Sequence, residues 1–132
     1  MKLIYVAHPL RNDVQVNMKR IEDIMQQLTA YDHQVRDGIN YFSPLHAYSF
    51  IDPSGPQEWV MDRCLDMVER CDELWLYGCW HKSVGCRHEF LHAMRLGKTI
   101  KFKDGDAQES IEKIADQLLP GWWKVLRGEY AI

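Results

Sequence analysis

A chain of 132 residues with 46% hydrophobic and 27% charged residues is long enough for one compact soluble domain and too short for two. Its net charge of −3, with basic residues scattered rather than blocked, excludes a strong pull toward polymeric nucleic acid or an anionic membrane. No apolar run approaches the ~20 residues that cross a bilayer.

The first residues, Met1-Lys2-Leu3-Ile4-Tyr5-Val6-Ala7, are too short and too soon followed by polar residues for a secretion signal, so a cytoplasmic protein is expected. Leu3 to Ala7 reads as a short buried strand, and His8-Pro9 breaks it. Asn12-Asp13 can cap a helix running to about Thr29, in which Val14, Met18, Ile21, Ile24, Met25 and Leu28 keep the helical period. Residues 30–38 connect it to a second, weaker strand, Ile39 to Phe42, that stops at Ser43-Pro44.

A loop through Asp52-Pro53-Ser54-Gly55-Pro56 leads to a helix from about Gln57 to Cys71, with Met61, Cys64, Leu65 and Val68 on its apolar stripe. Glu73 to Tyr77 is the third strand, Ser83 to Leu96 the third helix, and Gly97 a fitting stop before the fourth strand, Thr99 to Phe102. A helix at about 107–119 and a tail with Trp122-Trp123 and Tyr130 complete the chain. Strand and helix alternate, which predicts a single α/β domain over residues 1–132: a three-layer sandwich with a mostly parallel sheet of four to five strands. Cys64, Cys71, Cys79 and Cys86 form no C-x-x-C pair and read as reduced thiols.

Chemistry gathers at two strand ends. Tyr5, His8 and Arg11 lie in or just past the first strand, and Ser83-Val84-Gly85-Cys86-Arg87-His88-Glu89 follows the third. In a parallel sheet both ends open onto one edge, where open α/β sheets bind ligands. Ser83 and the first amides of its helix can hold an anion, because those N–H groups lack intrahelical partners; as a bare N-cap Ser83 would have only a structural role. Gly85 permits close backbone approach, and Arg11 can add a charge-assisted grip on a phosphate. Glu89, a turn and a half into the helix, turns partly inward with Ala93 and Met94; a solvated glutamate is the plainer alternative.

These residues carry a resemblance. Leu3-Ile4-Tyr5-Val6-Ala7 with Pro9 and Arg11, then Cys71-Asp72-Glu73-Leu74-Trp75, then Ser83-x-Gly85-x-x-x-Glu89 with Ala93 and Gly97-Lys98, match the nucleoside 2-deoxyribosyltransferase-like superfamily in order and spacing. That superfamily includes 2′-deoxynucleoside 5′-phosphate N-glycosidases, and the chain looks closest to its small uncharacterised bacterial and phage members. The resemblance covers roughly residues 2–102 and implies a flavodoxin-like fold. It implies cleavage or transfer of an N-glycosidic bond, with Glu89 as nucleophile, Tyr5 orienting it and a covalent glycosyl-enzyme between two displacements. Ser83, where transferases acting on free nucleosides tend to carry Asp, implies a 5′-monophosphate, which a hydroxyl can bond and a carboxylate would repel. No cofactor is implied, the ligand is a nucleotide or nucleoside, and a homodimer or larger homo-oligomer is expected.

The match departs at one position. The superfamily's second carboxylate, which protonates or orients the leaving base, falls eight residues before the position of Asp72, and here that residue is Cys64. Asp62 is the substitute candidate, although two residues along a helix is about 200° away. Without a placed acid the alternative reading is a catalytically impaired nucleotide-binding or regulatory module, or an enzyme that uses His8. His8, which replaces a small residue, and Trp80, which can stack on a base or cover an apolar edge, are further binding candidates; Trp59 poses the same choice. A surface-loop position is the plain alternative for His8 and His81. Trp122, Trp123 and Tyr130 fit a subunit interface or local packing. Finally, His88-Glu89-Phe90-Leu91-His92 spells a zinc-hydrolase motif, a less favoured alternative: no histidine follows His92, so only a distant Asp or Glu could complete a ligand set.

Overall fold

The computed structural model of the chain describes residues 1–35 and 38–103. The helix expected at 107–119, and Trp122, Trp123 and Tyr130, lie outside the described residues. Strand β1, Lys2–Ala7, is buried from Ile4 onward, as its unbroken apolar run requires of a central strand. Helix α1, Val14–Val35, starts where Asp13 Oδ1 accepts from the Val16 amide at 3.3 Å. It runs past the expected end near Thr29 because neither glycine nor proline occurs before Gly38, which takes φ +103°.

Strand β2 is Ile39–Phe42. Ser43 then caps a four-residue helix, α2, Pro44–Ala47, that opens on proline. Helix α3, Glu58–Arg70, leads into β3, Glu73–Leu76; a turn of 3₁₀ helix, Trp80–Lys82, leads into α4, Val84–Arg95, and β4 is Thr99–Phe102.

All four strands are parallel, in the order β2-β1-β3-β4. That order and the helices on both faces make the fold flavodoxin-like and three-layered. Alternation along the strands divides the core. Tyr5, Ala7, Leu74 and Leu76 face α3 and α4, meeting Cys64, Val68, Phe90 and Ala93. Ile4 and Val6 face α1 and meet Ile21, with Trp75 packed alongside. Each large apolar side chain fully buried this way contributes ~1.5–3 kcal/mol.

The amino edge of the sheet is held electrostatically. Glu73, 6% exposed, pairs with Lys2 of β1 and, at 3.4 Å, with Lys101 of β4, and accepts from Trp75 Nε1 at 2.9 Å. The carboxyl edge carries the loops after β1 and β3. There Gly78, at φ +64°, lies against His8: a Cβ on it would sit 3.3 Å from Nε2 and 3.4 Å from Pro9 Cδ. The positive φ calls for glycine and the close approach favours it, so the contact packs the two loops together.

Candidate active site

β1 and β3 are adjacent, so the two chemistry-bearing segments do meet. The central contact joins residues 84 apart in the chain: the Tyr5 hydroxyl donates to Glu89 Oε2. Tyr5 is fully buried and Glu89 is 6% exposed. Glu89 reaches this position because Phe90, Ala93 and Met94 anchor one side of α4 to the sheet and turn its face inward. Burial pushes the Glu89 carboxyl up to about 7, against the opposing pull of the Tyr5 hydrogen bond. Tyr5 is itself held well above the ordinary phenol range, by burial first and then by the charge of Glu89 and by Cys64.

Two thiols flank the pair. Cys64 of α3 lies within hydrogen-bonding reach of the Tyr5 hydroxyl, and burial and the Glu89 charge push its thiol up to about 12. Cys86, one turn before Glu89 on α4, is 2% exposed and pushed up by burial and the same carboxylate. Both are therefore neutral at physiological pH. The resemblance singled out Cys64 as the occupant of an expected carboxylate position; the place of Cys86 had no such signal, because only the packed orientation of α4 sets it.

Ser83 caps α4, its Oγ accepting from the Cys86 amide at 3.2 Å, and remains partly exposed. Gly85 lies four residues before Glu89 and so on the same face, one turn nearer the loop edge. Its φ is not positive, and a Cβ there would meet only Ser83 Oγ, at 4.0 Å. Neither backbone conformation nor internal packing demands glycine at 85. Its missing side chain leaves room over the turn toward which the Glu89 side chain leans.

The other candidates are placed differently. Asp62 is exposed on α3, and Cys64 is the residue of that helix facing Tyr5, so the structure does not bring the substitute acid to the site. The reason is the helical rotation between positions 62 and 64. Trp80 is not a stacking platform: it is 4% exposed, with Phe90 at 4.8 Å and Phe102 at 5.5 Å between ring centroids, and it closes the β4 side of the core. His8 is not a surface residue but 4% exposed, its Nδ1 2.7 Å from Pro9 O. Arg11 is exposed and donates to Gly55 O at 3.1 Å, tying the loop after β1 to the loop before α3. Trp59 is half exposed, beneath the Arg63 guanidinium at 4.6 Å and edge-on to Tyr48.

The zinc-like string is pulled apart. His88 is exposed, His92 Nε2 lies 3.0 Å from Glu69 Oε1 on α3, and Glu89 turns to Tyr5. Among the described residues no three His, Cys, Asp or Glu side chains converge as a metal site requires. All four cysteines are free thiols, and only Cys79 is exposed. No described helix is long and apolar enough to cross a membrane.

Fold and site together define a flavodoxin-like α/β domain with a buried tyrosine–glutamate pair under the carboxyl edge of its sheet. The chain belongs to the family described as Domain of unknown function (DUF7768), whose match spans residues 2–103. No curated protein matches it.

Proposed function

We propose that this domain cleaves or transfers the N-glycosidic bond of a (deoxy)nucleoside 5′-monophosphate or a related nucleotide. Glu89 attacks the anomeric carbon and a covalent glycosyl-enzyme forms; water or a second base then releases the sugar. The observation that carries this reading is the Tyr5–Glu89 hydrogen bond, which fixes one carboxylate oxygen inside the domain. Such a bond holds the nucleophile in one orientation, and orientation accounts for much of the barrier lowering in displacement reactions. The missing side chain at Gly85, one turn ahead of Glu89 on the same face of α4, suits the approach of a sugar, and the Ser83 hydroxyl with the first α4 amides suits a 5′-phosphate. The sequence resemblance supports the same assignment. A homodimer or larger assembly in the cytoplasm is part of the proposal, to be checked by sedimentation of the purified chain.

The test is a chromatographic screen for free base released from a panel of nucleosides and nucleoside 5′-monophosphates, with wild type beside Glu89→Ala and with or without a chelator. The expected result is release that ignores the chelator and falls at least ~100-fold in the variant. Silence across the panel sinks the reading; release that needs a metal returns the zinc-hydrolase reading of His88 and His92.

The neutral thiol of Cys64 favours a second reading, a nucleotide-binding or regulatory module with impaired catalysis. It predicts calorimetric binding of a nucleotide by wild type and Glu89→Ala alike, with no base released by either.

A further inference from the structure

The domain buries two glutamates in opposite surroundings. Glu73 sits between Lys2 and Lys101, and these lysines with the Trp75 indole overcome the effect of burial and hold it at about 2. Glu89 is equally shielded from solvent and lies deeper in the domain, yet among the described residues no cation pairs with it. Its neighbours are a phenol and two neutral thiols, Tyr5, Cys64 and Cys86. A buried carboxylate that must ionise to attack carbon is in want of a positive charge, because an adjacent cation favours its charged form.

We propose, resting on the N-glycoside reading above, that the substrate brings this cation: its leaving base carries a positive charge, as in a pyridinium or N7-alkylpurine nucleotide. In the first step a Glu89 oxygen bonds to the anomeric carbon while the carbon–nitrogen bond breaks. The bonding pair passes to the ring nitrogen and cancels its charge, so the base departs neutral and takes up no proton. In the second step water attacks the anomeric carbon, the ester bond to Glu89 breaks, the carboxylate is restored and one water proton passes to solvent.

The same surroundings disfavour a neutral base. Its nitrogen would receive the pair as an anion and need a proton in the transition state. Cys64, pushed up to about 12, and Tyr5, held well above its usual range, release protons too reluctantly to serve. Asp62 faces solvent. A cation beside Glu89 also works on the nucleophile, drawing down a carboxyl that burial alone raises.

The test uses matched probes, 7-methylguanosine 5′-monophosphate and guanosine 5′-monophosphate, with nicotinamide mononucleotide as a second cation. Base release is expressed relative to each probe's uncatalysed rate, and affinity is measured by calorimetry. For wild type, release from the two cations is expected, with the neutral probe at least ~100-fold slower, the usual contribution of a general acid. Glu89→Gln should weaken binding of the cations about tenfold more than binding of the neutral probe, as loss of a charge pair does. Cys64→Asp, with folding checked by circular dichroism, should raise release from guanosine 5′-monophosphate and not from the cations.

Equal relative release from neutral and charged probes, or equal loss of affinity for both in Glu89→Gln, overturns the cation inference and leaves the N-glycosidase reading standing. Silence on the cations while other nucleotides of the wider panel release base does the same. Silence on every nucleotide overturns both.

Discussion

Glu89 and Glu73 titrate on opposite sides of the ordinary carboxylate range, and what each side chain touches sets the direction. Glu89, raised to about 7, binds its proton more tightly in the folded chain than in the unfolded one. Its contribution to stability is therefore full below the unfolded value of about 4.3, and is lost as pH rises through about 7, a change on the order of 3 kcal/mol. Glu73, lowered to about 2, works the other way: its contribution is present above the unfolded value and is lost as pH falls through about 2. Between pH 5 and 8 only the first of these two acts, so the thermal midpoint should fall as pH rises across that window. In Glu89→Gln the Glu89 part of that slope should vanish, and an unchanged slope would show that Glu89 is ionised throughout. Under the proposed chemistry, kcat/KM should rise with pH on the same group, because only the carboxylate attacks.

At the scale of elements, two glycines separate construction from chemistry. Gly78 combines a positive φ with a Cβ position 3.3 Å from His8, so Gly78→Ala should destabilise by about 1–3 kcal/mol in chemical denaturation. Gly85→Ala meets no such obstacle in the first turn of α4, and replacing a helical glycine should stabilise by about 0.5–1 kcal/mol. If the space it fills is the route to Glu89, the same variant should lose turnover while its melting temperature rises. Unchanged turnover would close that route.

These elements also show what sequence reading reaches. β4 was legible to its boundaries, since Gly97, at φ +70°, ends α4 just ahead of Thr99–Phe102. So was the Tyr5–Glu89 meeting, because parallel neighbours bring their carboxyl ends to one edge. The burial of Trp80 was not, because it depends on Phe102 of a strand that pairs only in the folded sheet. Nor was α2, whose Ser43-Pro44 start reads equally as the end of a strand.

Across the whole molecule the two sheet edges divide the work. At the amino edge Lys2, Glu73 and Lys101 staple three strands, and the Leu3 amide donates to Asp72 Oδ2 at 2.7 Å. At the carboxyl edge the loops that carry His8, Gly78 and Ser83 frame the Tyr5–Glu89 pair. Glu69 joins the two helices beneath it, meeting His92 and accepting from Lys98 Nζ at 2.7 Å through its carbonyl. Construction at one end thus leaves the other to hold a buried carboxyl with no cation beside it among the described residues, a contrast that Glu73 of β3 and Glu89 of α4 make visible within one domain.

The four cysteines give this domain a chemical clock. An alkylating reagent should modify Cys79 at once, and Cys64, Cys71 and Cys86 only as the fold opens. Mass spectrometry would then count one fast adduct and three slow ones, and the slow rates would time opening at three separate places. Since Cys64 and Cys86 border Glu89 and Cys71 does not, a small molecule seated at the carboxylate should slow the first two selectively. The thiols that make the site hard to protonate from would then report, without any turnover, which molecules enter it.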